Sequence, residues 1–402
     1  MVQISEQIFK IGIIPVIAID DAEKAVPLAK ALVKGGLPAA EVTFRTAAAE
    51  EAIRRIVAEV PDMLVGAGTV LTKEQADRAI AAGSQFIVSP GFNPEITRYV
   101  LDKGVVMMPG TATPGEMEQA MSMGLDVVKF FPAEQNGGVA KLKALAGPYT
   151  NLRWMPTGGV NTKNMMDYLG FDRIIACGGT WMVKKDLIEG EQWDEITRIC
   201  KEAVKTMLGF SLAHVGINCA DEAQAEQTAK TLCALFDLEY KPGNSSIFAG
   251  SAVECNKAPG RGTNGHIAIA ANNVDRAVYH LGLRGVTFDE SSRKTDAKGT
   301  TKAILKELAD LCDGPITDEE LEDCRRGLLS GMNGVEDSLG GMETWYYIEV
   351  LRAGANSAAP IQTPAQARAA LQAVTKEDVR SILRQLTLSV SYLLTKEEPT
   401  HA

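Results

Sequence analysis

Val127-Val128-Lys129-Phe130-Phe131-Pro132 is an apolar run with one lysine near its centre. A short apolar run of this kind reads as a buried strand. An amine placed there is costly while it stays charged and unpaired. Burial should depress its pKa and leave a neutral nucleophile near neutral pH. The alternative is a lysine at the mouth of a barrel whose head reaches water.

Working outward, the same alternation of apolar strand, loop and helical stretch repeats up to about residue 206. Strands are expected near Ile13–Ile19, Ala39–Phe44, Leu64–Val70, Gln85–Pro90, Val105–Gly110, Val127–Pro132, Leu152–Gly158 and Arg173–Gly178. Amphipathic helical segments such as Ala22–Lys34, Ala47–Glu59 and Lys73–Ala82 lie between them. Strands alternating with helices in this way predict an α/β protein, a (β/α)8 TIM barrel. An open doubly wound sheet would place a Gly-rich fingerprint after the first strand, where this chain has Ala18-Ile19-Asp20-Asp21.

The totals bound the reading. The chain has 402 residues, 46% of them hydrophobic and 23% charged, which suits an ordinary protein of two or three domains with a real core. A net charge of −10 argues against nucleic acid or an acidic membrane surface as partner. Seven cysteines, an odd number without a CxxC pair, support neither a disulfide framework nor a zinc knuckle, so a reducing, cytoplasmic setting is expected. The apolar run Ile11 to Ile19 contains Pro15 and ends in Asp20-Asp21, which does not fit a signal peptide. No apolar run is long enough for a membrane span.

In a TIM barrel the chemistry sits at the C-terminal ends of the strands. The polar residues expected there are Glu41 and Arg45, Thr69, Lys129, then Thr157, Gly158 and Gly159, then Gly178, Gly179 and Thr180. The glycine pairs lie where barrels commonly cradle a phosphate on backbone N–H groups. The first 206 residues contain no histidine, so proton transfer falls to a carboxylate, and Glu41 is the strand-borne candidate. A structural alternative makes Glu41 an ion-pair partner of Arg45 or Lys129.

Five motifs occur in order: Ala40 to Thr46 (AEVTFRT), Val65 to Val70 (VGAGTV), Val88 to Gly91 (VSPG), Val127 to Glu134 (VVKFFPAE) and Met155 to Val160 (MPTGGV). Together they resemble the pyruvate-forming aldolases that act on 2-keto-3-deoxy-6-phosphogluconate (KDPG) and 4-hydroxy-2-oxoglutarate (KHG). The resemblance runs from the N-terminus to about Met207. It implies a class I aldolase, a carbon–carbon lyase acting on a small keto acid or its phosphate, without metal or other cofactor, and a homotrimer. Lys129 then matches the Schiff-base lysine, Glu41 the acid/base and Arg45 the carboxylate clamp. Substrate contacts fall to Thr69, Pro90, Thr157, Gly158, Gly159, Gly179 and Thr180, the last standing where a serine is common. Which C4 stereoisomer is cleaved, gluconate or galactonate, stays open, as does the need for a phosphate. A sugar-phosphate epimerase or a binding scaffold on the same barrel is the competing reading.

Beyond the barrel (1–207) two further regions are expected, 208–308 and 309–402. In the first, Ser211–Asn218 reads as a strand, Asp221–Phe236 as a helix and Ser245–Cys255 as two short strands. A second copy begins with a strand at Gly265–Ala270, a helix at Val274–Leu281 and a strand near Val286–Asp289. Paired βαβ-type units resemble a partial glyoxalase or vicinal-oxygen-chelate domain. That resemblance makes His214, His266 and Glu254 a partial ligand set, with a metal-dependent glyoxalase-like activity as the alternative function. A fourth ligand would belong on a last strand, but after Thr300-Thr301-Lys302-Ala303 the sequence reads as helical, so no metal site is assigned. His280 reads as a packing or surface histidine. The last region has a helix start at Ile316 to Leu321 with Thr317 as N-cap, helical stretches around Leu321–Met332, Thr344–Ala353, Pro364–Gln372 and Lys376–Leu386, and a strand at Leu388–Thr395. It resembles the C-terminal part of an M16 (insulinase-like) peptidase domain, but HxxEH is absent, which rejects protease activity.

Overall fold

The computed structural model describes residues 2–289 apart from 261 and 263, and beyond them residues 294–295, 301–302, 304–306, 322, 325, 329, 363–377 and 389–392. The strands of the first half are β1 (Ile13–Ile17), β2 (Ala39–Thr43), β3 (Leu64–Gly68), β4 (Phe86–Val88), β5 (Val106–Met108), β6 (Gly110–Thr111), β7 (Val127–Phe130), β8 (Arg153–Pro156) and β9 (Cys177–Gly179). All pairings among them are parallel. One sheet runs in the order β5-β4-β3-β2-β1-β9 and another in the order β6-β7-β8. Bridges Trp154↔Ile174 and Thr157↔Gly178 join β8 to β9. β5 and β6 are one strand interrupted at Pro109, which has no N–H for the ladder but accepts from Lys129 N at 2.9 Å through its carbonyl. The result is a TIM-like parallel α/β fold. β1, β2 and β3 are buried at every position, as parallel strands covered on both faces must be.

Helices wrap the strands: α1 (Val2–Ile11), α2 (Ala25–Lys34), α3 (Ala49–Glu59), α4 (Lys73–Ala81), α5 (Pro94–Asp102), α6 (Pro114–Ser122), α7 (Gly138–Ala146), α8 (Met165–Leu169), α9 (Lys185–Glu189) and α10 (Trp193–Leu208). Their starts follow local chemistry. Thr72 caps α4 by accepting from Gln75 N, Asn93 caps α5 by accepting from Glu95 N and Ile96 N, and Thr113 forms a capping box with Glu116. α5 and α6 open with proline, whose missing N–H costs nothing there. α10 stops at Gly209 in the left-handed region, φ 57°, whose N–H closes onto Lys205 O.

The second unit holds a five-stranded sheet, built from β10 (Ser211–Asn218), β11 (Tyr240–Pro242), β12 (Ser246–Ala249), β13 (Val253–Asn256) and β14 (Gly265–Ala270) in the order β11-β12-β13-β10-β14. α11 (Glu222–Phe236) covers it over a small core of Cys219, Ala225, Ala229, Ile247 and Cys255. α12 (Val274–Gly282) packs elsewhere, against α1 on the barrel. There Arg276, 2% exposed, donates to the carbonyls of Phe9, Leu169, Ile174 and Ile175 at 3.1–3.3 Å. His280, also 2% exposed, donates to Ile11 O at 3.1 Å.

Three expectations are corrected. The strand sought at Val286–Asp289 is only a bridge at Phe288, because the helix before it unwinds through the turn at Leu283–Gly285. The stretch after Thr300, read as helical, contains strands Thr301–Lys302 and Ile304–Lys306; pairing with Lys294–Thr295 and with Ser389–Tyr392 overrides its local helical preference. The eighth barrel strand begins at Cys177, not Arg173, since Phe171 to Ile175 turn to bond Trp154 before the ladder starts. Of the tail, the helix expected at Pro364–Gln372 is present as Pro364–Ala373 with a Thr363–Gln366 capping box. Thr317 and Thr344–Ala353 lie outside the described residues, as does most of the M16-like region. No helix among the described residues is long and apolar enough to cross a membrane.

Candidate active site

β2 and β7 lie nearly opposite each other across the barrel, each ending at the same face. β7 carries Lys129, 5% exposed, and β2 carries Glu41, 1% exposed. The Lys129 ammonium donates to Glu41 Oε1 at 3.0 Å and Oε2 at 3.2 Å. It also sits 5.5 Å above the centre of the Phe131 ring. The structural alternative for Glu41 is therefore realised with Lys129, while Arg45 turns to Thr43. The arrangement also puts a proton acceptor within hydrogen-bond reach of the amine.

The room for the Glu41 carboxylate comes from Gly68 on β3, the register partner of Thr43. A Cβ at residue 68 would lie 2.2 Å from Glu41 Oε1. Arg45 follows β2, and its Nε donates to Thr43 Oγ1 at 3.1 Å. Thr43 Oγ1 in turn donates to Ile17 O at 2.8 Å, tying the pair to β1. Thr69 sits just past β3 with φ 55°, a left-handed conformation uncommon for threonine. Strain of this kind concentrates at functional positions.

The loops after β7 and β8 are bonded to each other: Ala133 N donates to Thr157 O at 2.8 Å and Glu134 N to Gly158 O at 3.1 Å. Gly158 and Gly159 hold φ values of 99° and 81°, which need residues without Cβ. Tyr168 donates to Glu134 from below this loop, and burial together with that carboxylate pushes the phenol above its ordinary pKa. Thr157 Oγ1 is buried without a protein hydrogen-bond partner.

These groups surround a cavity of about 280 Å³ lined by Glu41, Arg45, Thr69, Pro90, Lys129, Thr157, Gly158, Gly159, Gly179 and Thr180. Of the barrel residues expected at the strand ends, Gly178 alone is missing from that wall. Val16, Thr43, Phe131 and Val160 complete it. Thr43 escaped the sequence reading although it lies inside the quoted AEVTFRT motif: a threonine on a strand is ordinary, and only its two bonds reveal that it holds Arg45. His214, Glu254 and His266 lie apart from this cavity, on the second sheet.

A family model for the KDPG and KHG aldolases matches residues 4–199. The 2-dehydro-3-deoxy-phosphogluconate aldolase of Haemophilus influenzae is 48% identical over 202 residues, covering 50% of this chain and 95% of the relative. The KHG/KDPG aldolase of Escherichia coli K12 is 44% identical over 202 residues, again 50% of this chain and 95% of the relative. A solved KDPG aldolase from Legionella pneumophila, with pyruvate captured at low pH as a covalent carbinolamine intermediate, is 38% identical with a TM-score of 0.48 and covers 50% of this chain and 97% of that one. Matched to such relatives over nearly their whole length, the chain belongs to the KDPG and KHG aldolase family.

Proposed function

We infer that this protein is a class I aldolase. It cleaves 2-keto-3-deoxy-6-phosphogluconate to pyruvate and glyceraldehyde 3-phosphate, or 4-hydroxy-2-oxoglutarate to pyruvate and glyoxylate. The observation that carries this reading is the buried Lys129 amine 3.0 Å from the Glu41 carboxylate in a polar-rimmed cavity. We assign the residue roles from that geometry. Lys129, its proton passed to Glu41, adds to the C2 ketone, and Glu41 returns that proton to the carbinolamine hydroxyl, which leaves as water to give an iminium and a free carboxylate. The iminium accepts the electron pair of the breaking C3–C4 bond. Glu41 removes the C4 hydroxyl proton as the aldehyde leaves. The enamine takes a proton at C3, and water releases pyruvate and the amine. Arg45, its Nε held by Thr43, grips the substrate carboxylate with its terminal nitrogens. The Thr157 hydroxyl takes the bound keto acid as its missing partner, and Thr69 lies beside it. The backbone around Gly158, Gly159, Gly179 and Thr180 receives the phosphate.

Borohydride trapping with pyruvate tests the reading, with the adduct located by peptide mass spectrometry in wild type and Lys129→Ala. An adduct on Lys129 that the variant lacks is the expected result. A wild type that forms none would remove the Schiff base and favour the epimerase or scaffold.

The homotrimer is a further proposal resting on the family resemblance, and light scattering of the whole chain measures it. Cytoplasmic residence is proposed from the free Cys177, Cys200, Cys219, Cys233 and Cys255. We propose the divisions 1–207, 208–308 and 309–402, with a glyoxalase-like second region supported by its strand–helix–three-strand order and an M16-like last region without peptidase activity.

A further inference from the structure

We propose that His214, Glu254 and His266 form a binding site for a divalent transition-metal ion on the second sheet, separate from the aldolase cavity. The sheet register assembles it. Gly216 on β10 faces Glu254 across the parallel pairing with β13 and His266 across the antiparallel pairing with β14. His214 lies two residues before Gly216, on the same face of β10. Gly216 also makes the space: a Cβ there would lie 2.1 Å from the His266 ring. The three side chains converge over the one residue of the strand that has none.

Their atoms form a triangle. His214 Nε2 and His266 Nε2 are 3.0 Å apart, and each stands 3.1 Å from Glu254 Oε2. Hydrogen bonds do not satisfy all three edges. If both imidazoles donate to the carboxylate, two N–H groups crowd each other; if either presents its lone pair, that pair faces the carboxylate oxygen. A cation at the centre satisfies the three atoms together. The spacing also fits. Ligand atoms about 2.1 Å from a metal stand about 3.0 Å apart at right angles and about 3.4 Å apart at tetrahedral angles. The observed triangle is that of three adjacent positions on one side of an octahedral ion.

The surroundings are built to match. Ser246 Oγ donates to Glu254 Oε1 at 2.6 Å, which fixes the other oxygen toward the histidines. The Phe248 ring stands edge-on to His214, centroids 5.4 Å apart. The side chains are 9%, 9% and 15% exposed, so the site is sheltered yet open on one side for water or an oxygen ligand. Two imidazoles and one carboxylate select zinc, cobalt, nickel, iron(II) or manganese over magnesium or calcium. Sequence reasoning set metal aside for want of a fourth protein ligand, but three protein ligands with solvent in the remaining positions make a stable open site. The proposal rests on this geometry alone and not on the aldolase reading.

Equilibrium dialysis and visible absorption of the untagged full-length chain with Co²⁺, and competition by Zn²⁺ and by Mg²⁺, test it. The expected result is a single Co²⁺ per chain with ligand-field bands, displaced by Zn²⁺ and untouched by a large excess of Mg²⁺. Glu254→Gln and His266→Gln abolish the bands, and Ser246→Ala weakens binding about 10-fold or more. Pyruvate-forming activity, measured on the same samples, stays at the wild-type level in all three and reports that the barrel is folded, and an unchanged far-UV circular dichroism spectrum reports the second sheet. Absence of stoichiometric Co²⁺ binding, or binding that survives Glu254→Gln in an active sample, overturns the site. Should the histidine variant misfold, Glu254→Gln and Ser246→Ala still decide.

Discussion

In the proposed mechanism Glu41 is the residue on which the proton chemistry turns, because it bonds Lys129 and lines the cavity. Glu41→Gln keeps the shape that Gly68 accommodates and removes the base. Its kcat/KM is expected to fall about 100- to 10,000-fold, while prolonged incubation with pyruvate and borohydride still labels Lys129. A variant with undiminished kcat would take Glu41 out of proton transfer. His280 makes a different kind of prediction. Burial lowers its pKa from 6.5 to about 4. The folded state therefore holds it neutral while the unfolded chain binds a proton below pH 6.5. Its contribution is fully present above pH 6.5 and is lost as pH falls from 6.5 toward 4, a difference of at most about 3 kcal/mol. Urea unfolding at pH 7 and pH 5 measures the drop, which His280→Gln should shrink; an equal drop in the variant would place its origin elsewhere.

At the scale of elements, Gly68 shows how β3 serves β2. Gly68→Ala is compatible with the strand backbone but drives a methyl group into the Glu41 carboxylate. Displacement of the base by about 1 Å is expected to cost about 100-fold in kcat, with an unchanged circular dichroism spectrum; a fully active variant would show that the carboxylate has slack. The barrel strands were readable because parallel strands buried on both faces are continuous apolar runs, and Lys129 stood out because it interrupts one. Tyr240–Pro242 was not readable: it is a short edge strand holding a lysine and a proline. Ile304–Lys306 was missed because its pairing partner, Ser389–Tyr392, is remote in sequence. The site was legible wherever a residue type was out of place on its element. Thr43 and Arg276 are ordinary for a strand and a helix, so only their bonds disclose what they do.

On the scale of the whole molecule, the barrel carries a large continuous core, whereas among the described residues the second sheet closes over a core of five buried side chains. The tail returns to it through Ser389–Tyr392, which lies against β14 and pairs with Ile304–Lys306, and so short a two-stranded pairing is marginal by itself. Limited trypsin digestion should therefore release material beyond about residue 308 before the barrel is cut, as mass spectrometry of the surviving fragment would show. Resistance of that region equal to the barrel's would refute the weak-tail account.

Arg276 bears on modularity. Four main-chain carbonyls from α1, from the end of α8 and from the approach to β9 share one guanidinium delivered by α12. Tethering through Gly209 and the second sheet gives that guanidinium an effective concentration in about the millimolar range or above. A chain severed after Leu208 exchanges this internal partner for water, and the buried acceptors become a vacant socket in the barrel floor. The two halves are consecutive in sequence but interlocked in space, so neither can be swapped as an independent cassette without redesigning the floor it leaves behind.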